Sequence, residues 1–183
     1  MDDKPIGREA VSSALVDAAV QLIVERGTDV SVREIAALAG VNHGLVHTYF
    51  GSKQGLFAAA FEELTRRTAA DLDPDGFPPP DAANRRGGEL AKAIARVRLE
   101  GGQNPFPSHP LATAWRDALA RTRPDLTTED IDSMVITASV LGLGWAVFAD
   151  HLCEILDVGE TRRAGLDKHM VALIAELGGI PEG

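Results

Sequence analysis

Ile131, Met134, Ala138, Leu141, Trp145, Phe148, Leu152 and Ile155 stand alternately three and four residues apart. Both steps return to one side of a 3.6-residue turn, so the spacing predicts a single long helix over about residues 128–157. Val135, Ile136, Val140, Leu143 and Val147 give that helix a second apolar side. A helix greasy on two sides must bury both, and a chain of 183 residues has few internal partners to offer. Ser133 to Ala149 carries no charge over 17 residues, at the short end of a bilayer span. The stretch holds Ser133, Thr137, Ser139, Gly142 and Gly144 and has no basic flank, so it reads as a buried core helix rather than a membrane anchor.

The rest of the chain follows the same period, without an Asn-Gly or Asp-Gly hairpin between alternating apolar runs, so the expected fold is all-α. A first helix runs from about Arg8 to Glu25, with Leu15, Ala18, Ala19, Leu22 and Ile23 on one face and Gly27 as its stop. Ser31 and Glu34 have capping-box spacing and open a short helix that Gly40 ends. Asn42 is placed to cap another short helix, ending near Phe50, and Ser52 to cap a fourth, reaching about Leu72. Seven of the ten prolines fall between Pro74 and Pro110, on either side of an amphipathic segment from Glu89 to Glu100. Ala112 to Arg121 is another expected helix. Thr127 and Thr128 before Glu129 and Asp130 start the long one favourably. The last helix, about Glu160 to Leu177, carries Leu166, Met170, Leu173 and Leu177 as a stripe. Surplus apolar surface on the final two helices predicts a homodimer built through them.

Charge and chemistry narrow the function. With 27 acidic residues against 18 basic ones, a net charge of -9, the chain cannot hold nucleic acid by bulk charge. The single cysteine, Cys153, excludes an internal disulfide, and the first ten residues lack the apolar core of a signal peptide, so the expected location is the cytoplasm. No Gly-rich phosphate loop, paired acid/base signature or nucleophile motif points to an enzyme or a cofactor. His43 and His47 share the i, i+4 spacing of metal ligands but lack a glutamate or third ligand nearby. His151 and Cys153, two apart, point different ways on a helix. No metal site is expected.

The informative segment is SVREIAALAGVNHGLVHTYFGSK, Ser31 to Lys53. A capped short helix, a turn through Gly40-Val41-Asn42 and a second short helix make a helix-turn-helix. Ile35, Ala36 and Ala39 face inward, and the two alanines let the helices approach closely. Gly40 takes positive φ at no steric cost. Val41 plugs the gap, while Val46 and Phe50 anchor the second helix from below. The remaining face offers Asn42, His43, Gly44, His47 and Thr48, a short polar surface that fits a major groove.

At Gly27, Val32-Arg33-Glu34-Ile35-Ala36, Ala39-Gly40-Val41, Gly44, Phe50, Ser52-Lys53 and Leu56-Phe57 the chain resembles the tetracycline-repressor (TetR) family of bacterial transcription regulators. The resemblance covers about Leu15 to Phe61. It implies a DNA-binding domain over 1–52 and a helical effector-binding and dimerisation domain over 53–183. It also implies a homodimer on a palindromic operator, usually a repressor released by a small molecule. By the resemblance Arg33 lies near the DNA backbone, Asn42, His43, Gly44, Leu45, His47 and Thr48 face the groove, and Lys53 meets a phosphate. The family's usual tyrosine at position 47 is a histidine here, and Tyr49 sits where a histidine is common, so the phosphate contact falls to one of these two. The competing readings are an activator or a helical interaction protein with no small-molecule effector.

An effector, largely apolar, is expected between helices of the larger domain, near Phe61, Leu64, Trp115, Met134, Leu141, Trp145 and Phe148. Its binding is expected to move the fourth helix and so change the separation of the two reading helices. Asn84, Arg85 and Arg86 with Lys92, Arg96 and Arg98 read as a solvated face, or as a site for an acidic effector or DNA backbone. Residues 1–53 carry five basic and seven acidic side chains, a net of −2, so binding must come from a few placed contacts, with a shallow salt slope. Two histidines on the reading face predict an affinity that rises as pH falls toward 6.

Overall fold

Helix starts and stops follow from local hydrogen bonding. In the computed structural model, which describes residues 5–79, 81–82, 86–99 and 110–181 (of 86 and 110 the backbone only), the described residues form eight helices and no strand. They are α1 (Arg8–Arg26), α2 (Val32–Leu38), α3 (Gly44–Phe50), α4 (Lys53–Ala69), α5 (Arg86–Leu99), α6 (Pro110–Thr122), α7 (Thr128–Ile155) and α8 (Glu160–Gly178). Gly27 ends α1 at φ 77°, donating its N–H to Ile23. Two of the expected capped starts form complete capping boxes: Ser31 with Glu34 opens α2, and Thr127 with Asp130 opens α7. Asn84, Arg85 and the prolines at 105 and 107 lie outside the described residues.

The described residues fall into two compact units, one within Met1–Arg66 and Ala93–Pro107, the other within Arg67–Lys92 and Ser108–Gly183. The boundary expected at 52/53 lies inside the first unit, at the turn between α3 and α4. In the first unit Val11, Leu15, Ala18, Ala19, Leu22 and Ile23 of α1 are buried, as are Val30, Ile35, Ala36, Val46, Leu56, Ala60, Phe61 and Leu64. One inward face per helix, repeated at helical spacing, builds this core.

The second unit is centred on Phe77, Trp115, Ala118, Leu119, Ile131, Val135, Ala138, Ile174 and Ile180, with Leu126, Met134, Leu141 and Ala175 packed around it. Here α7 packs against α6 and α8. Its buried residues are Ile131, Val135, Ala138, Gly142, Ala149 and Cys153. This corrects the expected stripe. Ile131, Met134, Ala138 and Leu141 pack on the core as the stripe predicts, but farther along the helix the buried positions are small, Gly142, Ala149 and Cys153. Phe148 is 53% exposed, Ile155 64% and Val140 66%, and Ile136, Leu143 and Leu152 are exposed beside them. The uncharged stretch is therefore a helix with one buried side, not a wholly buried core helix. By length and composition α7 could cross a membrane. Within the second unit one side of α7 packs on its neighbours, and the opposite apolar side is left uncovered.

Gly178 marks the tightest approach in this unit. Its carbonyl accepts the Trp115 indole N–H at 3.0 Å, and a Cβ there would stand 2.3 Å from Trp115 Cζ2 and 3.1 Å from Ala138 Cβ. Gly178→Ala should therefore destabilise the protein by about 1–3 kcal/mol, as overpacking of a filled core does. A thermal unfolding midpoint equal to that of the unmodified chain would contradict this packing.

Candidate nucleic-acid interface

The reading head is built by α2, the turn after it, and α3. Gly40 has φ 68°, and the Val41 N–H donates back to Ala36 at 2.9 Å, which folds the turn over the end of α2. Ile35 and Val46 are fully buried, so both short helices are held by their inner faces. Phe50 is half-buried at the end of α3. Gly51, at φ 75°, reverses the chain, and Ser52 Oγ accepts the Gly55 N–H at 3.1 Å to start α4.

The cap of α3 differs by one residue from the expected one. His43 occupies the N-cap position with helical backbone angles and no side-chain cap bond. Asn42, one residue earlier, accepts the Gly44 N–H through Oδ1 at 2.8 Å. A helix only seven residues long thus has its first free amide satisfied by the preceding turn.

Asn42, His43, Gly44, His47 and Thr48 are all exposed on this tip, while Leu45 and Tyr49 are half-buried. Thr48 Oγ1 donates to the Gly44 carbonyl at 3.3 Å, and the His47 ring Nδ1 lies 3.2 Å from the Gly51 carbonyl. Tyr49 packs beneath Arg8 of α1, whose guanidinium lies 5.5 Å from the ring centre. Arg33 is exposed in the first turn of α2. Lys53 is half-buried. Its ammonium donates to the Thr28 carbonyl at 2.9 Å and lies 5.1 Å from the centre of the Phe57 ring. One of the three ammonium hydrogens is thus held by Thr28, a partner 25 positions earlier that local pattern does not reveal, and the other two remain for a phosphate.

Electrostatics at the start of α2 stabilise the head. Glu34 accepts the Ser31 N–H at 2.8 Å and pairs with Arg26 at 2.8 Å. The bonds from Ser31, backbone and side chain, followed by Arg26, pull the Glu34 carboxyl from 4.5 down to about 2. A carboxyl with a depressed folded value contributes stability above its ordinary value and loses it as pH falls through the folded one. The stability of the head should thus decline between about pH 4.5 and 2. Glu34→Gln should flatten that part of the curve, followed by circular dichroism during thermal unfolding. An unchanged acid profile in the variant would refute the assignment.

The residues expected around an effector belong to both units, and each has its own setting there. Phe61 and Leu64 are buried on α4 within the first unit. In the second unit Trp115 is buried with its indole bonded to Gly178, and Met134 and Leu141 flank the same core. Trp145 is half-buried between α7 and α8. Its indole N–H donates to Asp167 Oδ1 at 2.9 Å, and the Arg163 guanidinium lies 5.3 Å above its ring. Arg163 also bonds Asp150 and Asp167. Phe148 lies on the exposed side of α7. An open cleft of about 820 Å³ in this unit is lined by the 71–79 turn (Phe77, Pro78), by α8 (Val171, Ala175) and by Ile180 just beyond it. Lys92 and Arg98 are exposed and Arg96 half-buried on α5. Among the described residues no group of three potential metal ligands occurs.

Residues 15–60 match the sequence profile described as "Bacterial regulatory proteins, tetR family". The HTH-type transcriptional repressor Rv3405c of Mycobacterium tuberculosis is 32% identical over 164 residues, covering 85% of this chain and 82% of that protein. A TetR-family transcriptional regulator from Streptomyces coelicolor has a similar fold, with a TM-score of 0.64 at 22% identity over 94% of this chain and 82% of the other. A TetR variant of Acinetobacter baumannii in complex with minocycline is also similar in fold, at a TM-score of 0.52 and 17% identity, covering 92% of this chain and 93% of the other.

Proposed function

The chain belongs to the tetR family of bacterial regulatory proteins and is a helix-turn-helix transcriptional regulator, and from that premise we propose that it acts in the cytoplasm as a homodimeric repressor on a palindromic operator. The observation that carries this reading is the division of α3: Val46 is wholly buried while Asn42, His43, Gly44, His47 and Thr48 stand exposed around the same helix. Such a helix is held from below and offers its polar side to base edges. The relative in Mycobacterium tuberculosis, named a repressor, supports the direction of regulation. Arg33 and Leu45 flank the contact, and Tyr49 supports it from beneath Arg8.

The partner is a second copy, joined through the uncovered apolar side of α7 and the exposed Leu166 and Leu177 of α8. Release comes from a largely apolar small molecule bound in the second unit, a reading supported by the minocycline-bound neighbour. Only Gly51 and Ser52 separate α3 from α4, so a pivot of α4 changes the spacing of the two reading helices. Dimeric readers need half-sites roughly 34–36 Å apart or a multiple, which makes the grip sensitive to such a pivot. Selection from random duplexes with the full-length protein tests the whole reading. Enriched sequences should contain an inverted repeat with a fixed spacer. Enrichment of no sequence, or of single unrepeated sites, would overturn it.

A further inference from the structure

We infer that His47 is a proton-gated contact to the DNA phosphate backbone: it engages as the imidazolium, so each subunit takes up a proton when it docks. This inference rests on the DNA-binding reading given above and assigns one contact within it. His47 is locked by its own turn. Its carbonyl accepts the Gly51 N–H at 3.1 Å, and its ring Nδ1 lies 3.2 Å from the Gly51 carbonyl oxygen. A carbonyl oxygen only accepts, so Nδ1 carries a hydrogen and donates it. In the neutral ring Nε2 then holds a lone pair, which repels a phosphate oxygen. Only a second proton turns Nε2 into an N–H donor, and it adds the charge that makes such a bond strong.

The other cations of the reading head lie off α3: Arg33 is exposed on α2, Lys53 on α4 bonds the Thr28 carbonyl, Arg8 on α1 covers Tyr49, and Arg26 pairs with Glu34. On the exposed tip Asn42, Gly44 and Thr48 carry no charge, and Asn42 and Thr48 are both bonded to Gly44. The charged and titratable groups on the surrounding elements are Arg8, Glu9, Asp17, Glu25 and Arg26 of α1, Asp29 of the following turn, Arg33 and Glu34 of α2, His43 and Tyr49 of α3, and Lys53, Glu62, Glu63, Arg66 and Arg67 of α4. Among the described residues no carboxylate pairs with His47, and the nearest candidate by sequence on α2, Glu34, is held by Ser31 and Arg26. In a segment whose net charge is −2, the positive charge offered to DNA by α3 itself is then set by pH.

The test uses the full-length chain and a duplex enriched from random sequence, at fixed ionic strength from pH 8 to 6. The affinity of the unmodified protein should rise by roughly tenfold or more over that range, because the imidazolium that makes the contact becomes more populated as pH falls. His47→Gln presents a permanent, uncharged donor, so its affinity should be flat, while His43→Gln should keep the gradient. The salt slope of the unmodified protein should steepen at pH 6 by about one phosphate per subunit, and that of His47→Gln should not. Calorimetry of the unmodified protein in two buffers of different ionisation heat counts protons directly, without relying on any variant. About one per subunit is expected near pH 7.5. No proton uptake, a gradient that survives in His47→Gln, or a salt slope independent of pH would each overturn the assignment. Failure of the unmodified protein to bind any duplex at any pH would instead sink the regulator reading, a distinct outcome.

Discussion

Phe148→Glu combined with Leu152→Glu will give a folded monomer that no longer shifts operator DNA. Both side chains lie on the exposed side of α7, whose other side is filled by Ala138, Gly142 and Ala149 against its neighbours. The substitutions therefore leave the core of the second unit untouched. In a two-fold interface every substitution acts twice, because the same patch is used by both subunits. Burying a large apolar side chain is worth about 1.5–3 kcal/mol, and an unpaired carboxylate placed there is costlier still to desolvate. Four substituted positions per dimer should weaken association by roughly a thousandfold or more. A monomer holds only one half-site, so operator affinity should fall with it. Analytical ultracentrifugation across micromolar concentrations gives the readout. A variant that sediments as a dimer would show that the subunits meet elsewhere.

The second large effect is expected at Gly55. A Cβ there would stand 2.1 Å from the Phe50 carbonyl oxygen and 3.2 Å from its carbon. Both are backbone atoms of the last residue of α3, so no rotamer change relieves the clash. Gly55→Ala must push α3 away from the start of α4. The strain should cost about 1–3 kcal/mol of stability. The effect on recognition should be larger than on folding, because a displaced reading helix misses its contacts at both half-sites. A loss of about 1.4 kcal/mol at each lowers affinity roughly a hundredfold. Far-UV circular dichroism should stay helical while fluorescence anisotropy with a labelled operator shows the loss. Unimpaired binding by the alanine variant would mean that the turn absorbs the methyl without moving α3.

Local pattern carries far in this chain. The boxes Ser31–Glu34 and Thr127–Asp130 are legible because both partners lie within four residues. The helix-turn-helix is legible because short helices joined by a short turn must pack through the few apolar residues they have. Long-range pairings are not legible in the same way. Nothing near Lys53 announces Thr28, and nothing near Trp115 announces Gly178, 63 positions away. On α7 the period shows which residues share a side but not which side finds a neighbour. Large aliphatics suggest a core along the whole helix, and Ile131 and Val135 keep that place, but farther along Gly142, Ala149 and Cys153 are the buried residues. Size and spacing pick out the large side chains proposed for an effector, but not the setting each one takes. Phe148 serves the uncovered side of α7, and Trp145 the seam between α7 and α8.

The chain's two tryptophans occupy very different settings, and this makes the second unit its own optical probe. Trp115 is enclosed and bonded to a backbone carbonyl, so its emission should lie toward the blue and respond mainly to global melting. Trp145 sits under a guanidinium with its N–H on a carboxylate, so a sub-ångström shift between α7 and α8 alters its quenching. Titrating candidate compounds into Trp115→Phe protein would then report motion of that seam from intrinsic fluorescence, with no dye attached and no DNA in the cuvette.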